Sequence, residues 1–205
     1  MRVASLVLVA SWGLLAGCRS EPHLSPGDFA AVDVPPDTAQ HSALPDPRET
    51  GIDPYAMVPG VRVGQVRLGM PFDSVLVALG QPPRSDAGRG TVWGAWPGWG
   101  AARDAWVDVF ATADSPESPY LVAQIRIDGP PFYLKGDPLR VDATRADVLR
   151  LHPSAKPFGT DDLYDDRQGI AFAFDSAADS ARATAVLIVL PGTPADRIQN
   201  RPDTP

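Results

Sequence analysis

Seven prolines lie between Arg19 and Tyr55 (Pro22, Pro26, Pro35, Pro36, Pro45, Pro47 and Pro54), and they deny that stretch a continuous helix or ladder strand. Seven acids stand there against two bases, Arg19 and Arg48, a net charge of −5 in a chain of net −7. Such a segment cannot bury enough apolar surface to offset its ordering entropy. Residues 18–56 therefore read as an extended acidic tether. The folded body is confined to residues 57–192, long enough for one domain or two small ones. Residues 193–205 read as a polar, flexible tail.

Ahead of the tether, Arg2 precedes an apolar run from Val3 to Leu15, broken only by Ser5 and Ser11. The run is too short for a permanent membrane helix and has the layout of a signal segment, residues 1–17. It ends in Leu15-Ala16-Gly17-Cys18, which resembles the bacterial lipobox. The resemblance implies cleavage before Cys18 and acylation of its thiol, with small Ala16 and Gly17 admitting the backbone to a peptidase groove. Cys18 is the one cysteine, so an intrachain disulfide and a cysteine zinc site are both excluded. Each buried methylene adds roughly 0.8 kcal/mol, so two or more acyl chains anchor stably. In the Gram-negative sorting pattern, Asp after the cysteine favours inner-membrane retention. Arg19 stands there instead, which favours the outer membrane.

Within the body, Val66-Arg67-Leu68-Gly69-Met70-Pro71 leads into Phe72, Val75, Leu76 and Leu79 at i, i+3, i+4 and i+7, one apolar face of a short helix. Pro71 suits its first turn, Gly80 its left-handed cap, and Pro82 stops further winding. A weaker copy starts 73 residues later: Leu139 to Thr144 aligns with Val66 to Pro71, and Val148 and Leu149 with Val75 and Leu76. Thr144 is a good N-cap, with Asp147 completing an acidic capping-box variant. Strand-like runs follow each helix: Thr91 to Trp96, Trp106 to Phe110 and Leu121 to Ile127, then Gly169 to Phe174 and Thr184 to Leu190.

Val66 to Pro82 resembles the opening motif of the SmpA/OmlA/BamE-like envelope lipoproteins. The matching residues are Gly69, Met70, Val75, Leu79, Gly80 and Pro82. Pro71 replaces that family's capping Thr, and the second copy lacks the Gly, the Met and the Leu-Gly-x-Pro ending. The doubling is similar, at the level of fold only, to the doubled module of β-lactamase-inhibitor proteins. The expected fold class is α+β: two related modules, 57–130 and 131–192, each a short helical segment followed by an antiparallel sheet, with helices packed on one sheet face. The resemblance implies a non-enzymatic binding or scaffold role in the envelope, with an envelope protein as partner. A secreted inhibitor of a hydrolase is the alternative, and a small acid-dependent hydrolase a third.

Trp93, Trp96, Trp99 and Trp106 cluster within fourteen residues, broken by Pro97, Gly98 and Gly100. Indoles in a turn offer large apolar area with few rotors, the profile of an interface anchor. Trp96 and Trp99 are the main candidates for partner contact and Trp93 the third; the strand setting of Trp93 and Trp106 also suits core packing. Asp161, Asp162, Asp165 and Asp166 lack the spacing of a calcium loop and read as a solvated turn, so no metal or cofactor is expected. The three histidines are His23 and His41 in the tether and His152 beside Pro153. With no Gly-x-Ser-x-Gly elbow, His-Glu-x-x-His or P-loop, no catalytic residue is assigned. Beyond Tyr55 the chain carries 18 acids and 15 bases without a basic patch, which argues against nucleic acid.

Overall fold

The computed structural model describes residues 51–98 and 104–199. The lipobox residues Leu15, Ala16, Gly17 and Cys18, most of the tether, Trp99 and residues 200–205 lie outside the described residues. The elements are β1 (Ala56–Val58), β2 (Arg62–Val63), β3 (Val66–Arg67), α1 (Phe72–Leu79), β4 (Arg84–Gly88), β5 (Thr91–Pro97), β6 (Trp106–Thr112), β7 (Leu121–Asp128) and β8 (Tyr133–Leu134). They continue with α2 (Arg145–Leu151), β9 (Lys156–Phe158), β10 (Asp162–Asp165), β11 (Ile170–Phe174) and β12 (Ala183–Val189). A 3-10 turn spans Ala195–Arg197.

The expected α+β class is overturned: the structure is mostly β, 41% strand against 12% helix. An antiparallel eight-stranded sheet runs β4-β5-β6-β7-β12-β11-β10-β9, and a smaller sheet runs β3-β2-β1-β8. The helices, of 8 and 7 residues, are too short to form a layer of their own. Their buried Phe72, Val75 and Val148 share one core with Met57, Val63 and Leu134 of the small sheet and Val107, Ile125 and Ile188 of the large one. The strand content was hidden in the sequence because β4 is polar and exposed along its whole length. A half-buried strand advertises itself by alternation; a sheet edge need not.

Helix starts and bulges repeat along the chain. Phe72 N–H donates to Tyr120 O at 2.8 Å, and Arg145 N–H to Ala181 O at 2.9 Å. Pro71 bridges to Leu121 and Thr144 to Arg182. The β6–β7 register shifts between Phe110 and Ala111, and the β11–β12 register between Ala173 and Phe174. The two last strands then pair antiparallel, Ile127 against Val186 and Ile125 against Ile188, which joins the two halves into one sheet.

Local chemistry sets the helix ends. Thr144 Oγ1 accepts from Asp147 N–H at 3.2 Å, the N-cap bond, and donates to Asp147 Oδ2 at 2.7 Å. Gly80 ends α1 at φ 77 and donates its N–H to Leu76 O, a backbone shape that costs glycine least. The body also reaches past its expected limits. Asp53 accepts the Tyr55 N–H at 2.9 Å and the Tyr133 hydroxyl, and Ala56 is already buried in β1. The tether boundary at 56 is therefore late. At the other end Ile198 is buried, so the expected tail contributes to packing at least to Gln199.

The β4–β5 hairpin turns through Arg89 at φ 51 and Gly90 at φ 76, the positive-φ pair of a type I′ turn. Arginine tolerates that conformation poorly, and the turn's preferred first residue is Asn. Replacing exposed Arg89 by Asn should stabilise the fold by about 0.5–1 kcal/mol, read as a raised midpoint in urea unfolding with unchanged m-value.

Candidate functional site

The tryptophan group divides by the pleat of β5. Trp96 faces the core and is 4% exposed. Its ring lies 6.2 Å from that of Phe72, and its indole N–H donates to Gly80 O at 2.9 Å. This corrects the expectation of a partner-binding turn at Trp96: the indole ties α1 to the sheet. Trp93 points to the opposite face, half-buried, 6.2 Å from Phe110. Trp106 is half-buried on β6, with the Arg84 guanidinium 4.6 Å over its ring, a cation–π contact. Among the described residues, Trp93 is thus the candidate contact residue that retains partial exposure.

The acid cluster is the larger surprise. The expected solvated turn is strand β10, and Asp165 is 0% exposed. Asp162 Oδ1 accepts from Phe174 N–H at 3.1 Å. Burial pushes the Asp162 carboxyl above its ordinary range, against that bond and the nearby Arg126 and Arg145. Arg145 is itself buried, donates to the Asp161 carbonyl and lies 5.3 Å over the Phe174 ring. Among the described residues no three His, Cys, Asp or Glu side chains form a group that could hold a metal ion.

Asp165 centres a polar network. Ser154 Oγ donates to its Oδ2 at 2.6 Å, and the amides of Arg167 and Gln168 donate to Oδ1 at 3.2 and 3.3 Å. The Gln168 side-chain amide lies 3.2 Å from both Asp165 Oδ2 and His152 Nδ1. His152 is 2% exposed, with Nε2 3.4 Å from Asp137 Oδ2 and Nδ1 3.7 Å from Asp165 Oδ2. A Gln Nε2 only donates, so the Gln168 contact is one in which His152 Nδ1 accepts, while His152 Nε2 is buried without a hydrogen-bond partner. The residue types are those of a Ser–His–acid triad, but the connectivity is wrong. The serine is bound to the acid, whereas nucleophile activation needs it on the imidazole. The network joins the end of α2, the β10–β11 turn and the loop after β8. Sequence reading placed His152 at a helix end and missed its partners, which lie up to 16 residues away. The one local signal was Asp165 followed by a four-residue turn ending in Gly169.

A third feature lies on the sheet face opposite the main core. There Tyr164, Ala171, Ala173, Ala185, Leu187 and Val189 form a second apolar cluster with Ile198. Beside it an open cleft of about 270 Å³ is lined by Lys156, Phe158, Tyr164, Asp166 and the residues from Gly192 to Ala195. Phe158 and Tyr164 meet edge to face at 6.3 Å.

No family model and no curated protein matches the chain. Among solved structures, an extracellular protein containing an SCP domain from Bacillus anthracis str. Ames is similar over 62% of this chain at 14% identity and a TM-score of 0.40. The match takes in 45% of that protein's length, and a likeness at that level carries no argument about function.

The Asp165 network carries a pH dependence. Burial alone would raise the Asp165 pKa, but the bonds from Ser154, Gln168 and Arg167, with His152 alongside, outweigh it and hold the carboxyl below its ordinary value. A folded pKa below the unfolded one means the contribution is full above the unfolded value and is lost as pH falls through the folded one. Asp165→Asn should cost about 1–3 kcal/mol at neutral pH. Its stability should also fall less steeply than the parent's below about pH 4, as followed by urea unfolding. Equal acid slopes in the two proteins would exclude Asp165 as a source of acid sensitivity.

Proposed function

We propose that this chain is a lipid-anchored, non-enzymatic binding protein of the bacterial cell envelope. The observation that carries the reading is Leu15-Ala16-Gly17-Cys18 at the end of a short apolar run, with Cys18 the one cysteine in 205 residues. A diacylated or triacylated Cys18 holds the chain at a bilayer without a spanning helix, and Arg19 favours the outer membrane where the cell has one. The Pro-rich acidic stretch then spaces the β-rich body from the lipid. Val66 to Pro82, with Gly69, Met70, Val75, Leu79, Gly80 and Pro82, supports kinship with the SmpA/OmlA/BamE-like lipoproteins and hence a part in envelope assembly or integrity. Binding is favoured over catalysis because the Ser154 hydroxyl is bound to the buried Asp165 carboxylate and His152 Nδ1 faces the Gln168 side-chain amide, and neither residue lines the cleft.

The test is intact-mass analysis and fractionation of the protein expressed in a bacterium that processes lipoproteins. The mature chain should begin at Cys18 with acyl groups attached and sediment with membranes. Cys18→Ser should lose the acyl mass and move predominantly to the soluble fraction. A chain that retains Met1 with an unmodified Cys18 refutes the anchor.

A further inference from the structure

We infer that His152 is a proton-operated latch: on taking up a second proton its imidazole displaces the Gln168 side chain and frees the β10–β11 turn, which carries Asp166 on the cleft wall. The latch rests on two claims to one oxygen. The Gln168 side-chain nitrogen lies 3.2 Å from Asp165 Oδ2 and 3.2 Å from His152 Nδ1. It donates to both, so Nδ1 must carry no proton for the arrangement to hold. A proton on Nδ1 sets donor against donor. The new N–H then finds its acceptor in Asp165 Oδ2, 3.7 Å away, the oxygen that Gln168 occupies. On the other side of the ring, Nε2 is buried without a hydrogen-bond partner, 3.4 Å from Asp137 Oδ2. The ring is 2% exposed, with Phe172 packed 5.4 Å from it. An imidazolium there is compensated by the two carboxylates rather than by solvent.

Among the described residues, Asp137 from the loop after β8 and Asp165 from β10 are the charged groups that face the imidazole. Asp166 and Arg167 belong to the turn itself: Arg167 gives its backbone amide to Asp165 Oδ1, and Asp166 lines the cleft. Gln168 anchors that turn, and the turn holds three neighbours. Gly60, between β1 and β2, is packed so closely that a Cβ there would lie 2.9 Å from Gln168 O. Gly169 O accepts from Val189 N–H at 2.9 Å, and Asp166 O from Gly192 N–H at 2.8 Å. The fold does not need an ionisable group at this joint. In the first half, α1 is tied to β5 by the Trp96 indole on Gly80 O, a bond without a titratable atom. In the second half the C-cap of α2 is His152 itself, beside β10. An imidazole is the side chain that ordinarily changes charge between about pH 5 and about pH 8, and a proton there reverses one end of a hydrogen bond in a packed joint.

The test uses ¹⁵N-labelled full-length Cys18→Ser protein, so lipid anchoring does not enter. Protonation of His152 is followed through its ring nitrogens by NMR from about pH 8 to about pH 5. Hydrogen exchange, corrected for the intrinsic rate at each pH, is read on the same samples. As His152 takes its second proton, protection of the Val189 and Gly192 amides should fall at least about tenfold, by local release of the turn. The amides in the middle of β12 should keep theirs. Adding His152→Gln removes the titrating ring, and protection at Val189 and Gly192 should then stay level across the range. Should that variant not fold, Gln168→Ala decides: without the arm that the latch holds, protection at both amides should be low at every pH. A Val189 and Gly192 protection that is unchanged through the His152 transition overturns the latch, as does an equal fall in His152→Gln. A ring that takes no second proton before the whole chain unfolds overturns it too.

Discussion

The pairing of β7 with β12 is the contact on which the rest of the structure depends. Each is the last strand of its half, and each starts beside the first residues of its own helix. Joined, they make one sheet of eight strands instead of two of four, which removes two edges that would otherwise need covering. The pairing also sets the faces. Ile125 and Ile127 lie opposite Ile188 and Val186 on the side of the main core. Gln124 and Arg126 lie opposite Val189 and Leu187 on the other side. A slip of one residue at this seam would send the isoleucines to the wrong face.

Several buried polar groups are bonded in a way that ties distant elements together, although His152 Nε2 and Trp93 Nε1 are buried without a hydrogen-bond partner. Arg145 at the start of α2 reaches the Asp161 carbonyl, and Asp165 collects Ser154, Arg167 and Gln168 while lying beside His152. Such a network is costly when incomplete and specifies one arrangement when satisfied. It accounts for two residue types that suggest chemistry, a serine and a histidine, without requiring any. On the opposite sheet face the Gln124 amide, the Tyr164 hydroxyl and an apolar patch hold the chain's own residues 193–199.

The sequence displayed strands that are buried on one or both faces. The Thr91, Trp106, Leu121, Gly169 and Thr184 runs correspond to β5, β6, β7, β11 and β12. It concealed strands whose partners supply the reason for their existence. β4 is Arg-Ser-Asp-Ala-Gly, exposed throughout and paired in the sheet with β5 alone. β10 is an acidic run, Asp-Leu-Tyr-Asp, that looks like a turn until β9 and β11 pair with it. The tryptophan reading went astray for a similar reason. Pro97 and Gly98 suggested a turn around Trp96, yet the pleat of β5 sends that indole inward to Phe72 and Gly80.

Residue order alone determined the features whose hydrogen bonds close within a few positions: the Thr144–Asp147 cap and the Gly80 stop. Proline and charge content likewise set apart the stretch before Tyr55. Tertiary structure decided how the halves join, which indole is interior, why Asp165 is buried and where residues 193–199 lie. Those outcomes depend on which faces meet across 59 to 75 residues of chain, as with Val186 and Ile127 at the seam and Gln124 and Gln199 beneath the C-terminal segment. Free energy of that kind comes from shared burial and from partners for buried polar atoms, and no local window of sequence contains both sides of the contact.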